Sequence, residues 1–358
     1  MKLLATLVAV TVVLGCGDGV GTPQGAGGGG SGGAGEAGGA GAGGAGASAG
    51  AGGASDVFLA APQPGLGFQV APATFSVPAG EEAYYCYRLP MPVDHDFDLT
   101  RLETRFGKGA HHLLVSTVER VYEAGHGPCT ASEFGFGIPP LEALAANLRF
   151  LSGAQTPYAD DPRSELALEP GMAFRVKQGT TLLLQVHWLN ATTAPVEAKT
   201  AINFWFADAP PTQYVEALFF YHTGIRLPAH ATTDVAGRCV FADDIDVVGM
   251  VSHMHQRGTR FTTRRFDGAL GEEVYAEQSW QEPKMKMWRR PELLHFARGS
   301  GLEYRCTFQN DTDGVITDGE GAGDEMCMLI GLYTGGTQTL FGFPGLDAFP
   351  GNPCRITP

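Results

Sequence analysis

Positive charge is scarce in this 358-residue chain: 24 lysines and arginines stand against 38 aspartates and glutamates, a formal net charge of −14. That balance excludes nucleic acid and anionic membrane surfaces as electrostatic partners. Long apolar runs are also missing. The one uncharged stretch of note, LLATLVAVTVVLG at residues 3–15, is too short to span a bilayer. No HExxH, EF-hand loop or P-loop occurs, which removes zincin, calcium-sensor and nucleotide-phosphate chemistry. No cysteine belongs to a C-x-x-C pair, so a thiolate zinc site and a thioredoxin-type site are excluded as well.

What is present begins with Lys2 and the apolar run, which together read as a secretory signal. The run ends in VLGC, which resembles a bacterial lipobox, so residues 1–16 are expected to be a lipoprotein signal with Cys16 as the lipidated residue. The chain is then exported and anchored in the bacterial cell envelope, at the outer membrane, with the lipid as its one membrane contact. Residues 17–54 are almost wholly Gly, Ala and Ser and cannot bury a core. They predict a flexible tether with a root-mean-square reach of roughly 35 Å.

Residues 55–358 are long enough for two domains. They carry short apolar stretches cut by Pro, Gly, Asn and Asp: TTLLLQVHWLN, TAINFWFADAPP, DIDVVGMVSHMH and EMCMLIGLYTGG. These have strand length and strand punctuation. PPLEALAANLRFL at 139–151 alone has helical character. The pattern predicts an all-β chain of antiparallel β-sandwiches. The DAPPT turn at 208–212 places the boundary, giving domains at 55–208 and 209–358. Of seven cysteines, six remain once Cys16 is set aside, and an even number in an exported chain predicts three disulfides.

Several of the ten histidines fall where strands are expected. In TLLLQVHWLN, Leu182, Leu184, Val186 and Trp188 alternate toward a core, leaving Leu183, Gln185 and His187 on the other face. His187 there is either solvated or a ligand. His111 and His112 in GAHHLLVS are adjacent, so a regular strand sends them to opposite faces; joint ligation requires a bulge, which Gly109 makes inexpensive. Without one they are a surface pair. In VSHMHQRG, His253 and His255 share a face with Ile245, Val247, Gly249 and Val251, and two neighbouring imidazoles suit Zn, Cu, Fe or Ni. Met326 and Met328 in GDEMCMLIGLY are core filler or, for Cu(I), a soft ligand.

In order, YYCYRLP, GAHHLLVS, GMAFRV with LLLQVHW, VSHMHQRG and GDEMCMLIGLY resemble the copper type II, ascorbate-dependent monooxygenases, the family of peptidylglycine α-hydroxylating monooxygenase and dopamine β-monooxygenase. The resemblance runs from about residue 80 to 354. It implies two tandem antiparallel jelly-roll domains, each with one copper, facing each other across a solvent-filled cleft. His111, His112 and His187 would hold an electron-transfer copper. His253, His255 and Met326 would hold the copper that activates O₂, with Met328 a core neighbour. Gln185 is expected to support His187. The resemblance also implies the bridges Cys86–Cys129, Cys239–Cys354 and Cys306–Cys327.

The peptide-amidating branch holds its substrate carboxylate with an Arg two residues before the H-x-H, an Asn two residues after the ligand Met and a Tyr four after it. Here those positions are Val251, Met328 and Ile330, so a peptide carboxylate is not expected. The resemblance therefore implies a copper monooxygenase that uses O₂ and a one-electron donor such as ascorbate on an unidentified small molecule. The alternatives are a non-catalytic copper-buffering lipoprotein and a structural or carbohydrate-interacting one. His95, His126, His222, His230 and His295 are assigned to structure or surface.

Overall fold

Alternation in the strand Thr181–Leu189 sets the first layer. Leu182, Leu184, Val186 and Trp188 all enter one buried apolar cluster, as the period of two requires. Burying each such side chain contributes about 1.5–3 kcal/mol. The computed structural model describes residues 58–129, 146–155, 162–278, 280–347, 349 and 351–357. Among them every regular element longer than a turn is a β-strand, and no helix is long and apolar enough to cross a membrane. Cys16 and the Gly-rich tract lie outside the described residues. So does most of the segment expected to be helical. Its end, from Arg149, is instead the start of the strand Arg149–Gln155, whose Phe150 and Leu151 are buried against facing sheets. Tertiary packing overrides the helical propensity there.

Thr181–Leu189 is central in a five-stranded antiparallel sheet, ordered Gly125–Pro128, Glu82–Pro90, Thr181–Leu189, Ala110–Val118 and Arg149–Gln155. It packs on Phe97–Phe106 and Thr200–Phe206 of a much larger sheet, through Leu99, Phe106, Ile202 and Phe204. That large sheet continues through Met172–Val176, Gln213–Tyr221 and Cys327–Thr334 to Ile245–Met254. A second five-stranded sheet, which includes Gly258–Asp267, Gly301–Asn310 and Ala231–Val240, covers its far end. Phe261, Tyr304 and Phe308 pack there on Phe220, Val247 and Leu329. The result is two sandwiched cores along one sheet. DAPPT is irregular, with strands on both sides. The sheet passes across it by a short parallel pairing of Gln213 and Tyr214 with Met172 and Ala173. Residues 55–358 form one compact unit.

The three disulfides are Cys86–Cys129, Cys239–Cys354 and Cys306–Cys327. The first closes the loop that carries His111 and His112. The last ties the strand beginning at Cys327 to Gly301–Asn310, just behind Met326.

Candidate metal centre

Three imidazoles come from neighbouring strands of the first five-stranded sheet. His187 sits opposite His112 on one side and Tyr84 on the other. His111 reaches the same face because the register steps from His187–His112 to Trp188–Ala110, leaving His111 as an extra residue. Gly109, at φ 87°, supplies the left-handed turn beside this bulge. One ligand nitrogen from each of the three rings lies within 4.8 Å of the others, and all three residues are buried. The face that carries Gln185 and His187 is therefore not solvated; it looks into the protein.

His253 is next to last in Ile245–Met254, and His255 lies just past the strand end. The H-x-H face is not the continuous one that period two predicts. A register shift between Val247 and Gly249 turns the strand over. Ile245, Val247, Met250 and Met254 enter the C-terminal core, whereas Val251 packs beside Met326, Met328 and Ile330. His253 stands opposite Met328 and Met254 opposite Cys327, where the pairing ends; His255 and Met326 are the next residues of the two segments. Met326 precedes the strand rather than belonging to it. Both methionines are buried and line the same cavity.

The two sets adjoin. The ring centroids of His112 and His253 are 5.5 Å apart, and those of His111 and His255 are 6.2 Å apart. The solvent-filled cleft that the resemblance implies between the sets is thus replaced by one cluster of five imidazoles. The segment 318–325 explains the contact, because side chains from both halves bind it. The Tyr84 hydroxyl donates to the Glu320 carbonyl, and Glu82 Oε1 accepts from Ala322 N at 3.0 Å. From the other half, Gln256 Nε2 donates to Ala322 O at 3.0 Å and Arg257 to Gly323 O at 3.1 Å.

Hydrogen bonds fix which nitrogen each ring presents. Gln155 Nε2 donates to the Trp280 carbonyl at 2.7 Å, so Gln155 Oε1 accepts from His253 Nδ1 at 2.6 Å. His255 Nδ1 donates to the Asp324 carbonyl at 3.0 Å, and His187 Nε2 to Glu82 Oε1 at 2.6 Å. His253 and His255 are left with Nε2, and His187 with Nδ1. The atoms His112 Nδ1, His187 Nδ1 and His255 Nε2 are buried with no hydrogen-bond partner. Each such orphan costs on the order of 1–3 kcal/mol unless a ligand satisfies it.

Burial keeps these rings neutral. It is the main cause that lowers His187 to about 2 and His111 to about 4, with neighbouring imidazoles adding to the effect. His112 and His253 lie well below the usual range and His255 below it, burial leading in each case. Neutral imidazoles with free lone pairs are what a divalent or monovalent copper ion needs.

Tyr84 stacks on His187 with centroids 3.9 Å apart and planes at 14°. Glu325, fully buried, accepts from the amides of His255 at 3.1 Å and Arg257 at 2.8 Å. Burial raises its carboxyl to about 7 against those bonds. Sequence reasoning missed Glu82, Gln155 and Glu325, whose partners lie far along the chain; Tyr84 was signalled only by its place in YYCYRLP. Gln185 is buried on the His187 face and lines the cavity, but it does not bond that ring. Two residues along a strand are about 6.6 Å apart, and Glu82 holds the ring instead. His95, His126, His230 and His295 are exposed, and His222 is buried, its amide donating to the Cys327 carbonyl at 3.0 Å.

Residues 217–340 match a family model described as copper type II ascorbate-dependent monooxygenase, C-terminal domain. That segment is similar to the C-terminal domain of the copper type II ascorbate-dependent monooxygenases. The matched segment contains His253, His255 and Met326; the other three imidazoles precede it. No curated protein matches the chain. Among solved structures, a chain titled "Structure of infectious bursal disease virus Gt strain" aligns at 9% identity, covering 76% of this chain and 74% of its own. Its TM-score of 0.14 carries no argument.

Proposed function

We propose that this chain is an exported, lipid-anchored copper monooxygenase. It takes a substrate R–H with O₂, two electrons and two protons to R–OH and water, the electrons arriving singly from a donor such as ascorbate. The observation that carries this reading is the cluster of five buried, neutral imidazoles, three of them with an unpaired nitrogen, beside a cavity of about 360 Å³ that His112 and His253 line. His111, His112 and His187 would hold one copper, and His253, His255 and Met326 a second. Copper, when bound, supplies one-electron redox chemistry and activates O₂.

The chain's own groups do the rest. Glu82, Gln155 and the Asp324 carbonyl fix three imidazole tautomers and ring directions. Tyr84 packs one ring in place. Met326 offers a soft thioether, which favours the reduced ion. His112, His253 and Met326 all open onto the cavity, whose apolar lining keeps water from the reacting bond.

The test is O₂ uptake by the copper-loaded full chain. Uptake that depends on ascorbate and yields a hydroxylated product supports the enzyme. Copper retained with no uptake under any donor supports the copper-buffering reading instead.

A further inference from the structure

The cavity beside His253 carries information about what enters it. Its inner wall is Phe150, Phe219, Phe341, Val251, Met328 and Ile330. Three of these, Val251, Met328 and Ile330, stand where the peptide-amidating branch places its polar clamp. At about 360 Å³ the cavity is near the small end of the range for small-molecule sites, roughly 300–1,000 Å³. Among the described residues, Tyr and His apart, the ionisable side chains lining it are Glu165 and Glu320, and none is Lys or Arg.

Three cations flank lining residues without lining the cavity themselves: Arg163 beside Ser164 and Lys284 beside Met285 are exposed to solvent, and the third, next to Phe150, is the buried Arg149. It is already spent, with Nε donating to Glu216 Oε2 at 3.0 Å in a pair whose side chains are each 5% exposed. An anion entering the cavity would meet no cationic side chain among its described lining residues and two carboxylates, so its desolvation would go poorly compensated. A cation fares little better. Glu165 is exposed and screened by solvent, which leaves the half-buried Glu320 as the single carboxylate offered to a cation that must leave water for a mostly apolar lining. Neutral polar groups do reach the cavity: Ser116, Ser152 and Gln185 offer hydroxyls and an amide.

We infer that the substrate is an uncharged, largely apolar small molecule, with an aromatic or aliphatic body and at most a neutral hydrogen-bonding group. The inference rests on the monooxygenase reading for the word substrate; the selectivity of the cavity itself does not need turnover.

The test is calorimetric binding to the copper-loaded full chain, oxidised and without reductant, so that no chemistry occurs. Three probes share one skeleton: 3-phenylpropan-1-ol, 3-phenylpropanoate and 3-phenylpropylammonium. The alcohol should bind at least tenfold more tightly than either ion. A smaller preference, no measurable binding of the alcohol, or an ion as the tightest ligand overturns the inference. Val251→Arg, which adds a cation to a half-buried position on the wall, should improve 3-phenylpropanoate at least tenfold and weaken the alcohol. A folded variant without that reversal also overturns it, and the comparison of probes on the parent chain needs no variant. Selective binding without ascorbate-dependent O₂ uptake would remove the monooxygenase reading and leave the cavity's selectivity standing. Uptake without selective binding would do the reverse.

Discussion

The two imidazole sets are built differently. His112 and His187 stand inside a sheet, paired directly across two hydrogen-bonded strands, and a one-residue bulge adds His111. His253 and His255 stand where a strand runs out, and Met326 lies just before another begins. The first set is positioned by backbone register. The second is positioned by side chains and by the segment 318–325, through the Asp324 carbonyl and the buried Glu325. A ladder is rigid and a loop is not, so the second set can deform more easily. That is an apt division if one ion only passes electrons while the other must accommodate O₂ and a product.

The sharpest way to break this comparison is His253→Ala. Loss of a ligand from the second set should lower product formation by at least about 10³-fold, roughly 4 kcal/mol in barrier. Copper content should fall from two ions per chain to about one. Because the His112 ring is 5.5 Å from His253, the electron paramagnetic resonance spectrum of the remaining ion should also shift. A remaining spectrum identical to the parent's would show two independent sites.

Replacing Cys306 and Cys327 together by Ala should come next. Their separation of 21 residues gives about 3 kcal/mol of stability in the chain-entropy picture. The expected result is a lower denaturant midpoint, with activity falling more steeply than stability, because the bridge anchors the residue next to Met326. If activity follows the folded fraction alone, the second set does not depend on that tether.

Met326→Ile should keep most Cu(II), keep the fold and lose hydroxylation by about 10²-fold, near 2.7 kcal/mol. Met328→Ile, on the same face but opposite His253, should change activity far less, as a near volume-conserving swap. Copper content and product, measured in parallel, separate the two. Equal effects would remove Met326 from the ligand set.

The smallest effect is expected on the first set. Glu82→Gln keeps the size of the group on His187 Nε2 but removes its charge, and should weaken copper binding by about tenfold, near 1.4 kcal/mol. Because the sheet register is untouched, three-imidazole coordination should survive in the spectrum. A complete loss of that ion would mean that Glu82, rather than the ladder, assembles the set.

Local patterns were readable without the fold. The period of two in Leu182, Leu184, Val186 and Trp188 names a core face, since alternation follows from strand geometry alone. Gly109 before His111 and His112 announces a bulge, because a positive φ is cheap only there. The apolar residues at 251, 328 and 330 exclude a carboxylate clamp from their chemistry. What sequence by itself could not determine is whatever depends on long-range approach. The face reversal between Val247 and Gly249 comes from pairing with Cys327–Thr334. The partners that choose each tautomer are 105 residues away for His187, 98 for His253 and 69 for His255. The contact that merges two ligand sets into one cluster depends on Glu82 and Tyr84 reaching 240 and 236 residues along the chain. Strand period and backbone freedom act within a few residues and are written locally. Ring orientation, burial and the distance between the two sets arise only when remote segments exclude water together.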